Sequence, residues 1–292
     1  MDITALRYSR RQAVGLILLS AFFWSTSGLL IKILPFHAMT LAGMRSFLAL
    51  CLVLAFNRGN RFTIDKQTIL GACSIAFTAI CFIWANKLTT SANAIVLQYI
   101  NPVITMLYAY FFFATPIRKK DIIVTACTFL GIGLFFCDGL SWGYVWGNVL
   151  ALASGFSSAW TNIFYSKYKG NSFNGIILGN GIIVLLSLPF IFFLAPPQWS
   201  VGSVIGILYL GIFQWGMPYL FFSSAMRCVE PLDGALLTMV EPLLNPLWVF
   251  LVMGELPGIL ALVGAAIVLL SITLWCVSDA KSKAGPNLPS SA

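Results

Sequence analysis

Apolar residues occur in long runs along this chain, and short polar turns separate the runs. A helix needs about 20 apolar residues to cross the hydrocarbon core of a bilayer. Ten runs approach that length, and only a few residues connect each run to the next. The pattern therefore predicts an all-α integral membrane protein with ten transmembrane helices. The predicted spans are Ala13–Leu34, Met39–Phe56, Thr68–Ala85, Ala92–Ala114, Ile122–Phe136, Val145–Tyr165, Phe173–Phe193, Val201–Met226, Leu232–Met253 and Ile259–Cys276.

The two halves of the chain match each other at a constant separation, which we call the repeat offset. It is the separation between Pro102 and Pro242, which interrupt equivalent apolar runs. Each half holds five predicted spans, an odd number, so the second copy must lie in the membrane with the opposite orientation. Inverted repeats are typical of secondary transporters, whose substrate sites lie where the two copies meet. Further matched pairs are Gly71 with Gly211, Phe82 with Phe222, Ala85 with Ala225, Lys87 with Arg227 and Leu97 with Leu237.

The repeat divides the chain into three parts. We expect residues 1–141 to form the first five-helix repeat and residues 142–280 to form the second, inverted one. Residues 281–292 are polar and rich in Pro and Ser, which predicts a disordered cytoplasmic tail. Trp24 and Trp160 match at a slightly shorter separation than the repeat offset, so we expect a small insertion or deletion between the first helices of the two copies.

The basic residues predict the orientation, because cytoplasmic loops carry an excess of Lys and Arg. With the N terminus inside, fourteen of the 17 basic residues lie on the inner side, Lys32 and Lys87 lie near the outer side, and Arg45 lies within a helix. We therefore expect both termini in the cytoplasm. Residues around His37, Leu140 and Gln198 then face the periplasm.

The composition excludes several classes of protein. The chain is 59% hydrophobic and 9% charged, and its mean hydropathy is +0.91, whereas a soluble domain is about a quarter charged. The net charge of +8 is spread over the inner loops and forms no nucleic-acid-binding surface. The seven cysteines form no CxxC motif and His37 is the only histidine. We expect no metal, no cofactor, no nucleic acid and no enzyme activity; the partners we expect are a small-molecule substrate and the lipid bilayer, around a monomer.

Polar residues within the spans are the candidates for a functional site, since ionisable groups in hydrocarbon usually face a cavity or a partner. Glu241 lies near the middle of the ninth span, and its repeat partner Asn101 lies midway along the fourth. A proline follows each of them and frees a backbone carbonyl one turn earlier. Two interpretations of Glu241 stay open: it faces a cavity, or it is protonated and hydrogen-bonds a neighbouring helix. The candidates on these two helices are Gln98, Asn101, Pro102, Thr238, Glu241, Pro242 and Asn245.

Several aromatic rings lie deep within the spans, away from the membrane interfaces where Trp and Tyr usually occur. They either line a pocket that stacks on a planar or cationic solute or fill space between helices. Arg45 lies in the outer third of the second span, where we expect it to extend to the outer headgroups. Binding of a substrate carboxylate by Arg45 is the alternative. The embedded aromatic candidates are Trp24, Tyr99, Trp160, Trp215 and Tyr219.

The repeat and several local motifs resemble the drug/metabolite transporter superfamily, in particular its EamA-type branch of bacterial metabolite exporters. The motifs are a first helix that runs from Trp24 to Lys32, a turn with the sequence ANKLTTSANA before QYINP, and EPLLNPLWVFLVMGELP before a final helix rich in Gly and Ala. The first copy departs from the second at Ala114-Thr115, where the second has Gly254-Glu255. The resemblance covers nearly the whole chain and implies export of small metabolites across the bacterial inner membrane by alternating access.

Within that branch, the embedded aromatic rings look like those of the aromatic amino-acid exporters. The resemblance therefore implies that the substrates are amino acids, aromatic and other neutral ones. Two alternatives of the same superfamily stay open, an exporter of lipophilic cationic drugs and a nucleotide-sugar or sugar-phosphate antiporter. The antiporter should carry embedded Lys or Arg for phosphate, and only Arg45 and the interfacial Lys32 meet that requirement.

Overall fold

The computed structural model describes residues 8–57, 62–89, 91–135, 145–168, 170–193, 199–244, 248, 251 and 259–283. The elements of this part of the chain are helical, and none of its residues lies in a β-strand. The all-α prediction is therefore confirmed for the described residues. Leu140, Gln198, Asn245, the Gly254-Glu255 pair and the predicted tail from residue 284 onward lie outside them.

Thirteen helices are numbered here in chain order, and all lie within the described residues. They are α1 (Arg10–Ser25), α2 (Ser27–Ile33), α3 (Ala38–Phe56), α4 (Lys66–Leu88), α5 (Ser91–Gln98), α6 (Asn101–Phe113), α7 (Lys119–Phe135), α8 (Val145–Lys167), α9 (Ser172–Phe193), α10 (Val201–Tyr209), α11 (Met217–Ala225), α12 (Pro231–Leu237) and α13 (Ile259–Lys283). A π-helical segment, Leu210–Gly216, joins α10 to α11, and 3₁₀ turns occur at Met226–Cys228 and Thr238–Val240.

Five helical stretches of the described chain are long and apolar enough to cross a membrane, judged by length and composition alone. Large apolar side chains point outward from the helices, as shown by Phe193 at 88% and Phe111 at 72% exposure. The interior holds many small and polar residues instead. This distribution suits a protein surrounded by lipid, because apolar side chains there need no burial. The five stretches are Arg10–Ile33, Ala38–Phe56, Lys66–Leu88, Ser172–Phe193 and Val201–Cys228.

The predicted fourth and ninth spans are both interrupted, and the two interruptions occur at matching positions of the repeat. Helix α5 ends at Gln98 and α6 begins at Asn101, while α12 ends at Leu237 and helical structure resumes at Glu241. In each case the proline that follows is the second residue of the new helical stretch. A proline suits this position because its missing N–H has no partner in a first helical turn.

Packing pairs helices from both halves of the chain. Helix α4 packs against α8 and α9, and α1 and α3 pack against the segment from the π-helix to α11. Helices α3 and α9 pack together, and so do α7 and α13. Close approach is required where α8 meets the first break: a Cβ atom at Gly155 would lie 2.6 Å from the carbonyl oxygen of Gln98.

Two repeat-related cations make the same type of contact, each with a backbone carbonyl oxygen of its own copy. Lys87 Nζ donates to the carbonyl oxygen of Leu34 over 2.9 Å, just after α2. Arg227 Nη2 donates to the carbonyl oxygen of Gly170 over 2.9 Å, after α8. Leu34 and Gly170 align at the same shorter separation that relates Trp24 to Trp160. Each copy therefore ties the end of its first predicted span to the end of its own third predicted span.

Candidate functional site

A cavity of about 80 Å³ lies where the two interrupted helices meet α1, α2, α4, α8 and the π-helical segment with α11. Aromatic rings and uncharged polar groups form its wall, together with one carboxyl group. The lining residues are Trp24, Ser27, Thr78, Ala79, Phe82, Gln98, Tyr99, Asn101, Ser158, Thr161, Asn162, Gln214, Trp215, Tyr219, Phe222, Thr238 and Glu241.

Eight of the twelve residues predicted from sequence lie on this wall. They are Trp24, Gln98, Tyr99, Asn101, Trp215, Tyr219, Thr238 and Glu241. Pro102 and Pro242 follow the wall residues Asn101 and Glu241 directly, are not among the lining residues, and set the helix starts that carry those two side chains. Asn245 lies outside the described residues, so the structure gives no position for it.

Trp160 does not lie on the cavity wall. Its ring packs edge-to-face against Tyr108 and Phe112, with centroid distances of 6.0 Å in both cases. The α8 residues that face the cavity are Ser158, Thr161 and Asn162. They share one helix face because they are three and four positions apart, and Trp160 falls between them on another face.

Matching residues of the two copies meet on the wall. Four pairs related by the repeat offset line the cavity together: Ala79 with Tyr219, Phe82 with Phe222, Gln98 with Thr238 and Asn101 with Glu241. Of these, only the phenylalanine pair is identical in the two copies. The cavity thus lies at the meeting of the two halves, and its wall differs chemically from one half to the other.

A hydrogen-bonded group joins the two helix breaks. Tyr99 Oη lies 2.8 Å from the carbonyl oxygen of Thr238 and 2.7 Å from Glu241 Oε2. The Thr238 carbonyl is one that Pro242 frees, since proline cannot donate to it. The Tyr99 hydroxyl has one proton, which it can donate to only one of these two acceptors at a time. A protonated Glu241 would supply the second proton, because it could donate to Tyr99 while Tyr99 donates to Thr238.

Aromatic rings cover another part of the wall. Tyr219 contacts Trp215 and Trp24 edge-to-face, with centroid distances of 4.5 and 5.4 Å, and Phe222 lies 5.1 Å from Trp24. Trp215 Nε1 donates to Asn180 Oδ1 over 3.0 Å, which fixes the plane of the indole. These packed rings present apolar surface that is suited to stacking on a planar group.

Several polar atoms around the cavity have no hydrogen-bond partner among the described residues. They are Trp24 Nε1, Ser27 Oγ, Thr78 Oγ1 and Asn101 Oδ1. A buried polar group without a partner costs roughly 1–3 kcal/mol. Water or a ligand usually satisfies such groups, so these atoms are available to hydrogen-bond a polar solute that enters the cavity.

Arg45 is buried within the protein and does not extend to the outer headgroups, so that expectation is wrong. Its side chain is 0% exposed, and its guanidinium lies over the Trp215 ring with Cζ 4.0 Å from the centroid. Nη1 donates to Gln214 Oε1 over 3.4 Å. Hydropathy gives the depth of a residue but not its face, and Arg45 shares the inner face of α3 with the small residues Ala42 and Ala49.

Sequence reasoning missed the polar wall residues on α2, α4 and α8, together with Gln214. A signal was present, because uncharged polar residues in the middle of apolar spans face the interior of a bundle. The repeat offset also relates Ala79 and Phe82 to two other wall residues. Gln214 lies in the π-helical segment, a local widening that often occurs at functional sites and that hydropathy does not reveal. The missed polar residues are Ser27, Thr78, Ser158, Thr161, Asn162 and Gln214.

Comparisons with known proteins agree with this architecture. The sequence profile of the EamA-like transporter family matches residues 11–137 and again residues 141–276. A protein of Clostridium kluyveri named "Uncharacterized transporter" is 22% identical over 297 residues, which cover 91% of this chain and 93% of that protein. A second "Uncharacterized transporter", from Archaeoglobus fulgidus, is 23% identical over 267 residues, or 90% of this chain and 96% of that protein.

A protein of known crystal structure has the same fold. It superposes with a TM-score of 0.78 over 94% of this chain and 100% of its own, at 16% sequence identity. The family profile covers most of the chain in two successive matches, and the helices are those of a multi-pass membrane protein. The chain therefore belongs to the EamA-like transporter family, and it is a membrane transporter.

Proposed function

We propose that the chain exports neutral amino acids, with a preference for aromatic ones, across a bacterial inner membrane by alternating access. The observation that carries the proposal is the central cavity, where packed aromatic rings, unpaired polar atoms and the single carboxyl group of Glu241 share one wall. A neutral amino acid needs these three features: apolar contact for its side chain, and polar contacts for its ammonium and carboxylate groups.

Alternating access requires two arrangements of the helices around one site, which inverted repeats provide. The packing supports such a relation, because exchanging the two copies maps each main contact onto another. The contact of α4 with α8 corresponds to that of α11 with α1, and the contacts α3 with α9 and α7 with α13 map onto themselves. The Lys87–Leu34 and Arg227–Gly170 contacts correspond in the same way.

The ammonium group of a substrate fits the part of the wall formed by the two helix breaks. Glu241 Oε2 and the unpaired Asn101 Oδ1 are acceptors there, and Gln98 adds an amide oxygen. Acceptors in interrupted helices are suited to cations. The rings of Trp24, Trp215 and Tyr219 then receive the apolar side chain.

The orientation of the chain is part of the proposal. The distribution of Lys and Arg supports cytoplasmic termini, and the two repeat-related cations are consistent with it. Lys87 near the outer side and Arg227 near the inner side each make the same type of contact. An inverted pair places these contacts on opposite sides of the membrane.

Transport assays in proteoliposomes test the substrate class. We expect efflux of phenylalanine and, more slowly, threonine, and no movement of quaternary amines or sugar phosphates. Robust movement of quaternary amines without any amino-acid transport would instead identify a cationic-drug exporter, since a carboxyl group among aromatic rings also suits lipophilic cations.

The two repeat-aligned tryptophans provide a matched pair of variants. Trp24→Ala removes a ring from the cavity wall, so it should reduce phenylalanine transport more than threonine transport. Trp160→Ala removes a ring of equal size that packs elsewhere. It should not alter the ratio of the two rates. If Trp24→Ala reduced the transport of phenylalanine and threonine equally, this ring would not distinguish between their side chains.

A further inference from the structure

Arg45 is a buried cation with unused hydrogen-bonding capacity. Its Nε and Nη2 groups have no partner among the residues that the structure describes, and no carboxylate of that part of the chain forms a salt bridge with it. Burial of a charge without a partner is costly. Its stacking on Trp215 compensates only part of that cost. A residue retained under these conditions commonly has a functional role.

The contact with Arg45 fixes the orientation of the Gln214 amide. A guanidinium has N–H donors and no acceptor, so the atom that Gln214 presents to it must be the carbonyl oxygen. That oxygen lies 3.4 Å from Arg45 Nη1. The other end of the amide, its NH₂ group, is therefore free to point into the cavity that Gln214 lines. Arg45 polarises this amide and strengthens its NH₂ as a donor.

The cavity consequently has two chemically different polar regions. Around Glu241 and Asn101 the groups are mainly acceptors, and at Gln214 the wall offers a donor with a positive charge behind it. Gln214, Tyr219 and Glu241 all line this cavity, so the two regions belong to one wall. A solute with an anionic and a cationic end can satisfy both regions in one orientation.

We propose that Gln214, positioned and polarised by Arg45, binds the carboxylate group of the transported solute. The inference rests on the proposed transport of amino acids and deepens it, because it fixes which end of the molecule faces which helix. Gln214 is the contact residue, and Arg45 is a positioning residue that acts through it.

Three ligands that share a phenyl ring separate the two ends of the substrate. Phenylalanine carries both charges, 3-phenylpropionate only the carboxylate, and phenethylamine only the ammonium. Binding of each is measured by calorimetry on the purified full-length protein, with size-exclusion chromatography to verify folding. Gln214→Leu should weaken binding of phenylalanine and 3-phenylpropionate about tenfold or more, as expected for loss of a hydrogen bond to a charged group. It should leave the affinity for phenethylamine unchanged.

The variants of Arg45 and a matched glutamine complete the test. Arg45→Met should reproduce the selective loss for the two carboxylates, and Arg45→Lys should restore part of it because the charge remains. Gln98→Leu makes the same chemical change elsewhere on the same wall. It should weaken the two ammonium ligands and leave the affinity for 3-phenylpropionate unchanged.

The outcomes distinguish this inference from the proposed function. Equal weakening of all three ligands by Gln214→Leu would overturn the carboxylate assignment, even where the wild type transports phenylalanine. A wild type that binds neither carboxylate ligand would overturn it as well. Conversely, a protein that binds 3-phenylpropionate in a Gln214-dependent way but transports no amino acid would support the carboxylate site and refute the proposed substrate.

Discussion

Substitution of Glu241 by Gln tests the hydrogen-bonded group between the two helix breaks. Glu241 is 8% exposed, and its only hydrogen-bond partner among the described side chains is Tyr99. The glutamine keeps the shape of the residue and can donate to Tyr99 Oη while Tyr99 donates to the Thr238 carbonyl. It therefore reproduces the bonding of a protonated Glu241 but cannot lose a proton.

The expected magnitudes separate transport from stability. Replacing the carboxyl retains a neutral hydrogen bond, so the free energy of unfolding should change by no more than about 1 kcal/mol. A substrate ammonium that loses a bond to a carboxylate loses about 1.5–3 kcal/mol of binding, which is a factor of roughly 10 to 150 in affinity. Any dependence of transport on a pH gradient should disappear at the same time.

Tyr99→Phe should reduce the stability of the fold more than Glu241→Gln does. It removes the hydroxyl that Glu241 Oε2 contacts, and a buried acceptor left without a partner costs about 1–3 kcal/mol. The Thr238 carbonyl still accepts from the backbone N–H of Glu241. We therefore expect a lower melting temperature in detergent for Tyr99→Phe than for Glu241→Gln.

The assay compares phenylalanine efflux from proteoliposomes with and without a pH gradient, alongside melting temperatures. Glu230→Gln is the control, because Glu230 forms a surface salt bridge of 2.7 Å with Lys167. Such pairs contribute at most about 1 kcal/mol. Transport by Glu241→Gln that still responds to the pH gradient, or a loss of stability as large as that in Tyr99→Phe, would refute the role assigned to Glu241.

Three further predictions concern the rest of the chain. A cysteine introduced at Gln198 should react with a membrane-impermeant reagent in intact cells and one at Lys119 should not; the reverse would refute the orientation. Ala114→Gly should raise the melting temperature, because Ala114 has a φ of 47°, a conformation that costs a residue with a Cβ about 1–2 kcal/mol; a lower melting temperature would contradict this reasoning. The backbone N–H of Thr68 donates to Asp65 and holds the pKa of its carboxyl group below the usual value. The stability that this helix cap contributes is therefore fully present above the ordinary carboxyl pKa, and it is lost as the pH falls through the lowered pKa of the folded state. Asp65→Asn keeps the cap and should lose less stability in acid than the wild type, which melting curves at pH 7 and pH 3 measure.

The sequence predicts the helices and their interruptions well, because both depend on local chemistry. Apolar runs predict the helices, and the two prolines within such runs predict the breaks that the structure has before Asn101 and Glu241. Ala114, whose counterpart in the second copy is Gly254, has a left-handed backbone that a glycine would adopt without strain. The repeat offset also lets a feature of one half predict the equivalent feature of the other half.

The sequence predicts less about which face of a helix meets the cavity. Trp24 and Trp160 align in the two copies, yet only Trp24 lines the wall. A shift of one residue turns a helical side chain by about 100°, and a small insertion between the copies is enough to produce it. Depth alone likewise placed Arg45 at the membrane surface, whereas packing turns it inward onto Trp215.

Differences between the two copies account for the two polar regions that we propose for the cavity. Two identical copies would contribute the same polar groups to the cavity wall. Such a wall could not suit both the ammonium and the carboxylate of a zwitterion. The copies keep equivalent cations, Lys87 and Arg227, where they tie helices together, but they differ on the wall. Glu241 stands opposite Asn101 in the alignment, and Gln214 opposite Ser74. In each pair the second copy has the larger side chain, and in the first pair that side chain is also ionisable. Glu241→Asn should therefore weaken phenylalanine and phenethylamine binding alike but leave 3-phenylpropionate unaffected, since only the acceptor region becomes like that of the first copy; a loss of all three ligands would mean that the two regions do not act separately.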